Sequence, residues 1–431
     1  AEQAIFLRTL ARRTWAYFER LVVASENWLP PDNWQEDRAD VVAHRTSPTN
    51  MGMALLADLA AYDFGYLAAG PLLARTDRAL RTMERLERHE GHFLNWYDTR
   101  TLAPLEPRYV SAVDSGNLAG HLLTLRAGLA QLPDDPLLDV RLLAGIRDSA
   151  RVLVEELAPD IPPSVAALLR DLDAAGGPTL PTLAEMRSAL ATLARAADVV
   201  AADAAAPAWP GGTPVTDEAR AWSDALVAQC NGARDEAMTL LPWLSPDGEH
   251  ATRISPPVLA GVRTLRELAG MMPALREQAA RLQAARLPDA DRQALDQVVE
   301  QAALASTAAE RRIAAIARCV ERCEALARMD FGFLYDSTRH LLAVGYNVDE
   351  RMRDPGYYDL LASEARLATI IGIAAGAISQ ESWFALGRLL TRVGDQPILL
   401  SWSGSMFEYL MPQLVMPAYA DSLLEATCDA A

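Results

Sequence analysis

The chain has 431 residues, is 51 % hydrophobic and 23 % charged, and carries a formal net charge of -17 with a pI near 4.9. That length allows one large domain or two to three ordinary ones. The acidic balance opposes binding to a phosphate backbone or an anionic membrane surface, so nucleic acid is excluded as a partner, and no apolar run is long enough for direct membrane insertion by this segment. The sequence reads as soluble, and its start at Ala1, without initiator Met or leader, reads as a processed or excised segment.

In chain order, the region from Trp28 to Leu122 strings WLPPDNWQED, VAHRTSPTN, YDFGYL, GHFLNWYDT and PRYVSAVDSGNL along the ends of apolar stretches. MGMALLADLAAYDF after Asn50 and NLAGHLLTLRAGLA after Ser115 are expected helices, entered through polar capping residues. Rings beside carboxylates, amides and a guanidinium at helix ends suit a groove for a polar ligand with flat apolar faces, such as a sugar chain. The competing reading is that the rings plug a helical core and the Asp and Asn side chains cap turns.

From about Arg126 to Arg328 the character changes. Ala, Leu, Arg and Glu recur at helical spacing, as in LLAGIRDSARVLVEEL and MRSALATLARAADVVAA, and between Thr124 and Met329 the aromatic residues are Trp209, Trp222 and Trp243. DIPPS, AAGGPTLP, AAPAWPGGTPVTD and LSPDGEH read as breaks between helices. This is an expected helical arm, a spacer or bundle whose leucine stripes pack together. It divides the chain into 1–125, 126–328 and 329–431. In the last part, YYDLLASEARLATIIGIAAGAIS and the run from Glu381 to Arg392 are expected helices. No strand pattern stands out, so the expected class is all-α, and functional residues gathered at helix termini suggest a helical toroid.

Glycoside chemistry needs two carboxylates flanking the scissile bond, which directs attention to acids in aromatic company. Glu364, near a helix start after Tyr357 and Tyr358, is a candidate proton donor or a glutamate favoured by the helix N-terminus. Glu408, between Phe407 and Tyr409 and shortly after Trp402, is a second catalytic candidate with an expected raised pKa, or a first-turn cap. Asp98 with Asn95, and Asp114 with Asn117, could bind sugar hydroxyls or cap turns. Trp96, Tyr97 and Trp402 are candidate rings under pyranose faces, and Tyr409, Tyr346 and Asn347 are further binding candidates. Arg45 could hold hydroxyls or a carboxylate, or form a surface ion pair. His89 and His92 lack HExxH order, the sequence has no phosphate-binding Gly-rich loop and no nucleophile elbow, and Cys319 and Cys323 lack a partner pair for zinc, so no metal is implied. Cys230, Cys319, Cys323 and Cys428 read as buried thiols, too few for a disulfide framework and consistent with a reducing compartment.

The order WLPPDNWQED, HRTSPTN, GHFLNWYDT, PRYVSAVDSGNLAGH, MDFGFLYD, YYDLLASEARLA and LLSWSGSMFEYLMP resembles the cyclic β-1,2-glucan synthases, in the glycoamylase-like cyclisation region between their membrane glycosyltransferase and phosphorylase-like parts. The resemblance covers about half the chain, at both ends. It implies an (α/α)6 toroid of the glycoside hydrolase family 189 type, here incomplete and carrying a long inserted helical arm. It implies an anomer-retaining transglycosylase that needs no cofactor, closes linear β-1,2-glucan into rings, and works beside the other domains of the same synthase in a cytoplasmic portion of a bacterial inner-membrane protein. Glu364 is implied as general acid/base and Glu408 as bordering the site. In relatives the nucleophile is carried by a later Gly-Ile-Ser-Glu-Ser motif, which this sequence does not reach, so the fragment alone is expected to be nearly inactive. A non-catalytic glucan-binding scaffold and a hydrolytic endo-β-1,2-glucanase remain the alternatives.

Overall fold

A computed structural model describes residues 2–38, 41–177, 181–244, 256–284 and 287–431. Helices dominate it. In chain order they are α1 (Glu2–Leu21), α2 (Pro48–Asp63), α3 (Ala69–Met83), α4 (Ala112–Gln131), α5 (Arg141–Leu157), α6 (Pro163–Ala175), α7 (Leu183–Ala204) and α8 (Asp217–Leu240). There follow α9 (Pro257–Gly261), α10 (Leu265–Gly270), α11 (Met272–Ala284), α12 (Asp289–Leu326), α13 (Ala365–Ala374), α14 (Glu381–Ala385), α15 (Met406–Leu410) and α16 (Leu423–Ala430). No helix among the described residues is long and apolar enough to cross a membrane. Contacts gather the chain into two units, one of 1–17, 58–75 and 129–318, the other of 18–57, 76–128 and 319–431. The first 125 residues are therefore shared between both units.

The first unit is built on a four-helix bundle. α7 packs on α6 and α8, and α5 packs on the same two helices, which closes the ring. The periodic apolar positions account for it: Leu142, Ile146 and Leu153 on α5, Val165, Leu168 and Leu172 on α6, Leu190, Leu193 and Ala197 on α7, and Leu226, Cys230, Ala233 and Ala237 on α8 are buried. Pro163 opens α6 where a missing N–H costs nothing, Thr182 and Glu185 form a capping box on α7, and Thr216 caps α8. The expected break at LSPDGEH lies, beyond Leu244, outside the described residues, as do residues 178–180 of AAGGPTLP.

The second unit departs from the strandless expectation. Short antiparallel pieces join its loops: β1 (Arg45–Thr46) with β4 (Tyr97–Asp98), β2 (Arg88–His89) with β3 (His92–Phe93), β6 (Tyr335–Asp336) with β7 (Leu341–Leu342), and β10 (Leu390–Val393) with β11 (Gln396–Leu399). β8 (Gly345–Asn347) lies between β5 (Tyr109–Ser111) and β9 (Met352–Arg353). Strands of two to four residues are too short to show alternation in sequence. Two expected helices also shrink. The one anticipated from Tyr357 begins only at Ala365, because Ser363 takes a left-handed φ of 50° and the chain enters the helix after it. The run from Glu381 to Arg392 is helical only to Ala385, after which Leu386 leaves the helical conformation and the chain leads toward β10. Leu360, Leu361, Leu386, Leu399 and Tyr409 form a buried cluster in this unit.

Candidate active site

Within the second unit three helix N-termini meet. Pro48 opens α2, which puts Thr49 and Asn50 in its first turn; Asp114 and Asn117 stand three residues apart on one face of α4; and Glu364 is the residue from which α13 departs. Helix starts present unpaired N–H groups and positive potential, a setting that attracts acceptors and acids. Gly116 makes the approach possible. A Cβ there would stand 2.3 Å from the Ala368 Cα, so α4 and α13 touch backbone to backbone just beside Asn117 and Glu364.

The side chains at this meeting point form one continuous hydrogen-bonded chain. Asn117 Nδ2 donates to Glu364 Oε2 at 3.1 Å and to Thr49 Oγ1 at 3.0 Å, and Thr49 Oγ1 donates to Asp114 Oδ1 at 2.5 Å. Asn95, with its amide turned toward the acid, donates to Asp114 Oδ2 at 3.2 Å and accepts from Trp96 Nε1 at 3.0 Å. The Arg45 guanidinium covers the Trp96 ring at 5.0 Å and pairs with Asp32 at 3.0 Å, while Asn50 Nδ2 reaches the other Asp32 oxygen at 3.1 Å. Asn117 Oδ1 is buried and has no partner.

Glu364 is 5 % exposed and also accepts from Ser363 Oγ at 3.1 Å. Burial pushes its carboxyl above the ordinary range; the donors Asn117 and Ser363 oppose this, and the Asp114 charge adds to the rise. The result is a carboxyl group that takes up a proton more readily than an exposed one, at an aromatic edge. Tyr358 lines that edge, its phenol pushed up to about 12 by burial together with the charges of Asp114, Glu364 and Asp354. Its ring lies 5.7 Å from the ring of Trp402, which is 55 % exposed and donates through Nε1 to Asp359 at 2.8 Å. Tyr109 donates to Asp354.

Glu408 behaves otherwise. The expected raised pKa is overturned: burial would raise it, but donors from Ser403 and Ser363 outweigh burial and hold the carboxylate below its usual range. It also closes a capping box with Ser405 at the start of α15, the first-turn cap that the sequence offers as the alternative.

Several candidates fall into the core or into turns. Tyr97 is fully buried, with its hydroxyl accepting from the Leu94 N–H and donating to the Glu87 carbonyl, so no face is open to a sugar. Tyr409 is buried in the leucine cluster, its hydroxyl between Ser401 N and Leu399 O. Asp98 accepts from the N–H groups of Arg100 and Thr101, and Asn347 from that of Glu350; both are turn caps. Tyr346 stacks on His89 at 5.5 Å in a ring cluster that continues through Phe333 to His92 and Phe331. Thr49 and Ser363 hold Asp114 and Glu364 through their hydroxyls, and Tyr358 stands near both acids; none of the three is a binding candidate in the sequence. Their only signal was adjacency to Asn50, Glu364 and Tyr357.

No family model matches the chain. The cyclic beta-(1,2)-glucan synthase NdvB of Rhizobium meliloti (strain 1021) is 35 % identical over 446 residues, a match that takes in 99 % of this chain and 13 % of the relative. Almost the whole chain is similar to one stretch of a cyclic glucan synthase. It spans about one eighth of that synthase's length. Among solved structures, glucoamylase-type proteins from Bacteroides fragilis NCTC 9343 and Bacteroides caccae ATCC 43185 match at 22 % identity and a TM-score of 0.27. They cover 30 % and 36 % of this chain, and 32 % and 37 % of their own. Glu364 and its hydrogen-bonded neighbours lie inside the stretch similar to the synthase.

Proposed function

We propose that this chain is the cyclisation part of a β-1,2-glucan synthase and performs retaining transglycosylation on linear β-1,2-glucan. The observation that carries the reading is the buried Glu364 carboxyl, its pKa raised by burial, tied through Asn117, Thr49, Asp114 and Asn95 to Trp96. A retaining glycosidase needs one carboxyl that protonates the leaving oxygen and later accepts a proton from the incoming hydroxyl. Glu364 takes that role. Asp114, already engaged by Thr49 and Asn95, orients the sugar, and its charge adds to the rise that burial gives the Glu364 pKa. The attacking carboxylate is left to the Gly-Ile-Ser-Glu-Ser motif that the family resemblance implies. A covalent glycosyl-enzyme conserves the bond energy until the same chain's own end arrives, and Trp402 and Tyr358 offer apolar faces along which that end can lie. The (α/α)6 toroid, the partnership with glycosyltransferase and phosphorylase-like domains, and the cytoplasmic placement belong to this same reading.

Glu364→Gln in the full-length protein tests it. Cyclisation falls at least a thousandfold while binding of linear glucan persists; unchanged cyclisation would leave a non-catalytic scaffold as the function. Linear products carrying solvent oxygen at the reducing end would instead mark a hydrolase.

A further inference from the structure

The Glu408 carboxylate accepts hydrogen bonds from three backbone N–H groups and one hydroxyl. Oε1 accepts from Ser363 N at 2.9 Å; Oε2 accepts from Ser403 N at 3.1 Å, Ser403 Oγ at 2.5 Å and Ser405 N at 3.4 Å. The group is 5 % exposed, and with its lone pairs turned to fixed donors it has no room to exchange a proton with a substrate. The unusual partner is Ser363. Its backbone is left-handed at φ 50°, a conformation unfavourable for a serine unless its surroundings enforce it. The same serine sends its Oγ to Glu364 Oε2, and Glu364 follows it directly in the chain.

A second tie runs alongside. Trp402 N donates to the Leu361 carbonyl at 3.1 Å, and the buried Arg366 guanidinium donates to the Glu408 and Tyr409 carbonyls at 2.6 and 2.5 Å. The segment 361–366 is thereby fastened to the loop 401–405 and to α15.

We propose that Glu408 is a positioning residue whose carboxylate clasps the Ser363 N–H, fixes the left-handed turn, and so sets the Glu364 carboxyl at the same time as the Trp402 wall. This rests on the reading of Glu364 as the proton-transfer group and assigns Glu408 no proton of its own. Replacing it by an amide puts an NH2 against backbone donors, releases Ser363, and withdraws the Ser363 hydroxyl from Glu364. Glu364 then loses one of the donors that restrain its pKa.

The test is the pH dependence of β-1,2-glucan cyclisation in the full-length protein, for the unmodified enzyme, Glu408→Gln, Ser363→Ala and Glu364→Gln. Glu408→Gln is expected to lower kcat at least tenfold with KM changed less than threefold, and to move the kcat limb belonging to Glu364 to higher pH. Ser363→Ala keeps the backbone clasp and removes only the hydroxyl, so it moves the same limb in the same direction with a smaller loss of kcat. It carries the test alone if Glu408→Gln does not fold. A limb that stays in place in the folded variants, with activity lost only in proportion to folded protein, overturns the positioning role while an inactive Glu364→Gln leaves the functional reading standing. Full activity of Glu364→Gln overturns both.

Discussion

His121 sits fully buried on α4 with neither ring nitrogen paired, and burial lowers its pKa to about 4; His92, bonded to Ser115 Oγ and the Asp330 carbonyl, is lowered to about 4 by the same cause. In the unfolded chain each binds a proton near pH 6.5. Stability is therefore complete above 6.5 and is lost as pH falls from there to about 4, by roughly 3 kcal/mol per histidine. His121→Leu removes an unsatisfied buried polar ring, and its denaturation midpoint should decline less between pH 7 and pH 5 than that of the unmodified protein; parallel declines would refute the assignment. For Glu364 the sign reverses. Its folded pKa is raised, so its contribution is present at low pH and is lost as pH climbs through the folded pKa. Glu364→Gln should accordingly raise Tm at pH 7 while it removes activity, whereas Glu408→Gln should lower Tm. Much of this site was legible one residue at a time, since Glu364, Asp114, Asn117, Asn95, Trp96 and Arg45 join in a single chain of contacts. What could not be read was Glu408's charge state. It depends on Ser403 and on Ser363, the second of which no periodicity places beside it.

At the level of elements, the closest requirement falls on Gly116, where α4 meets α13. Gly116→Ala would drive a methyl into the Ala368 backbone, and separating the helices costs on the order of 2–3 kcal/mol and displaces Glu364 from Asn117. A thermal melt checks the first effect, and loss of glucan cleavage out of proportion to the melt checks the second. The bundle responds differently. Leu190→Ala on α7 leaves a cavity among fully buried neighbours and should cost about 2–5 kcal/mol by denaturant titration, without touching the pH profile of activity. Helices such as α2, α4, α5 and α7 were visible in the sequence because apolar residues recur along them and polar residues stand at their starts. The hairpins were not, because Arg45–Thr46 and Tyr97–Asp98 are strands only by virtue of each other. Glu381–Arg392 misled for the opposite reason, as its composition suits a helix while Leu386 breaks from the helical conformation and β10 pairs with β11.

Over the whole molecule, apolar exposure is concentrated between residues 384 and 423: Phe384 is 72 %, Leu390 63 % and Tyr419 69 % exposed. Exposure on that scale binds apolar dyes. The folded protein should brighten such a dye, and Phe384→Lys with Leu390→Lys should dim the signal; an undiminished signal would place the dye elsewhere. The two contact units escape a reading of composition, since each collects segments that lie far apart in sequence, and only the Ala-rich stretch announced its bundle by periodicity. Cys230 belongs to the first unit and Cys319, Cys323 and Cys428 to the second, all four are buried, and burial pushes the thiols of Cys230 and Cys323 up to about 12. A thiolate reagent therefore finds nothing to attack until a unit opens. Timed alkylation read by peptide mass makes the four sulfurs a built-in stopwatch, with Cys230 recording when the bundle breathes and Cys428 when the glutamate-bearing half does.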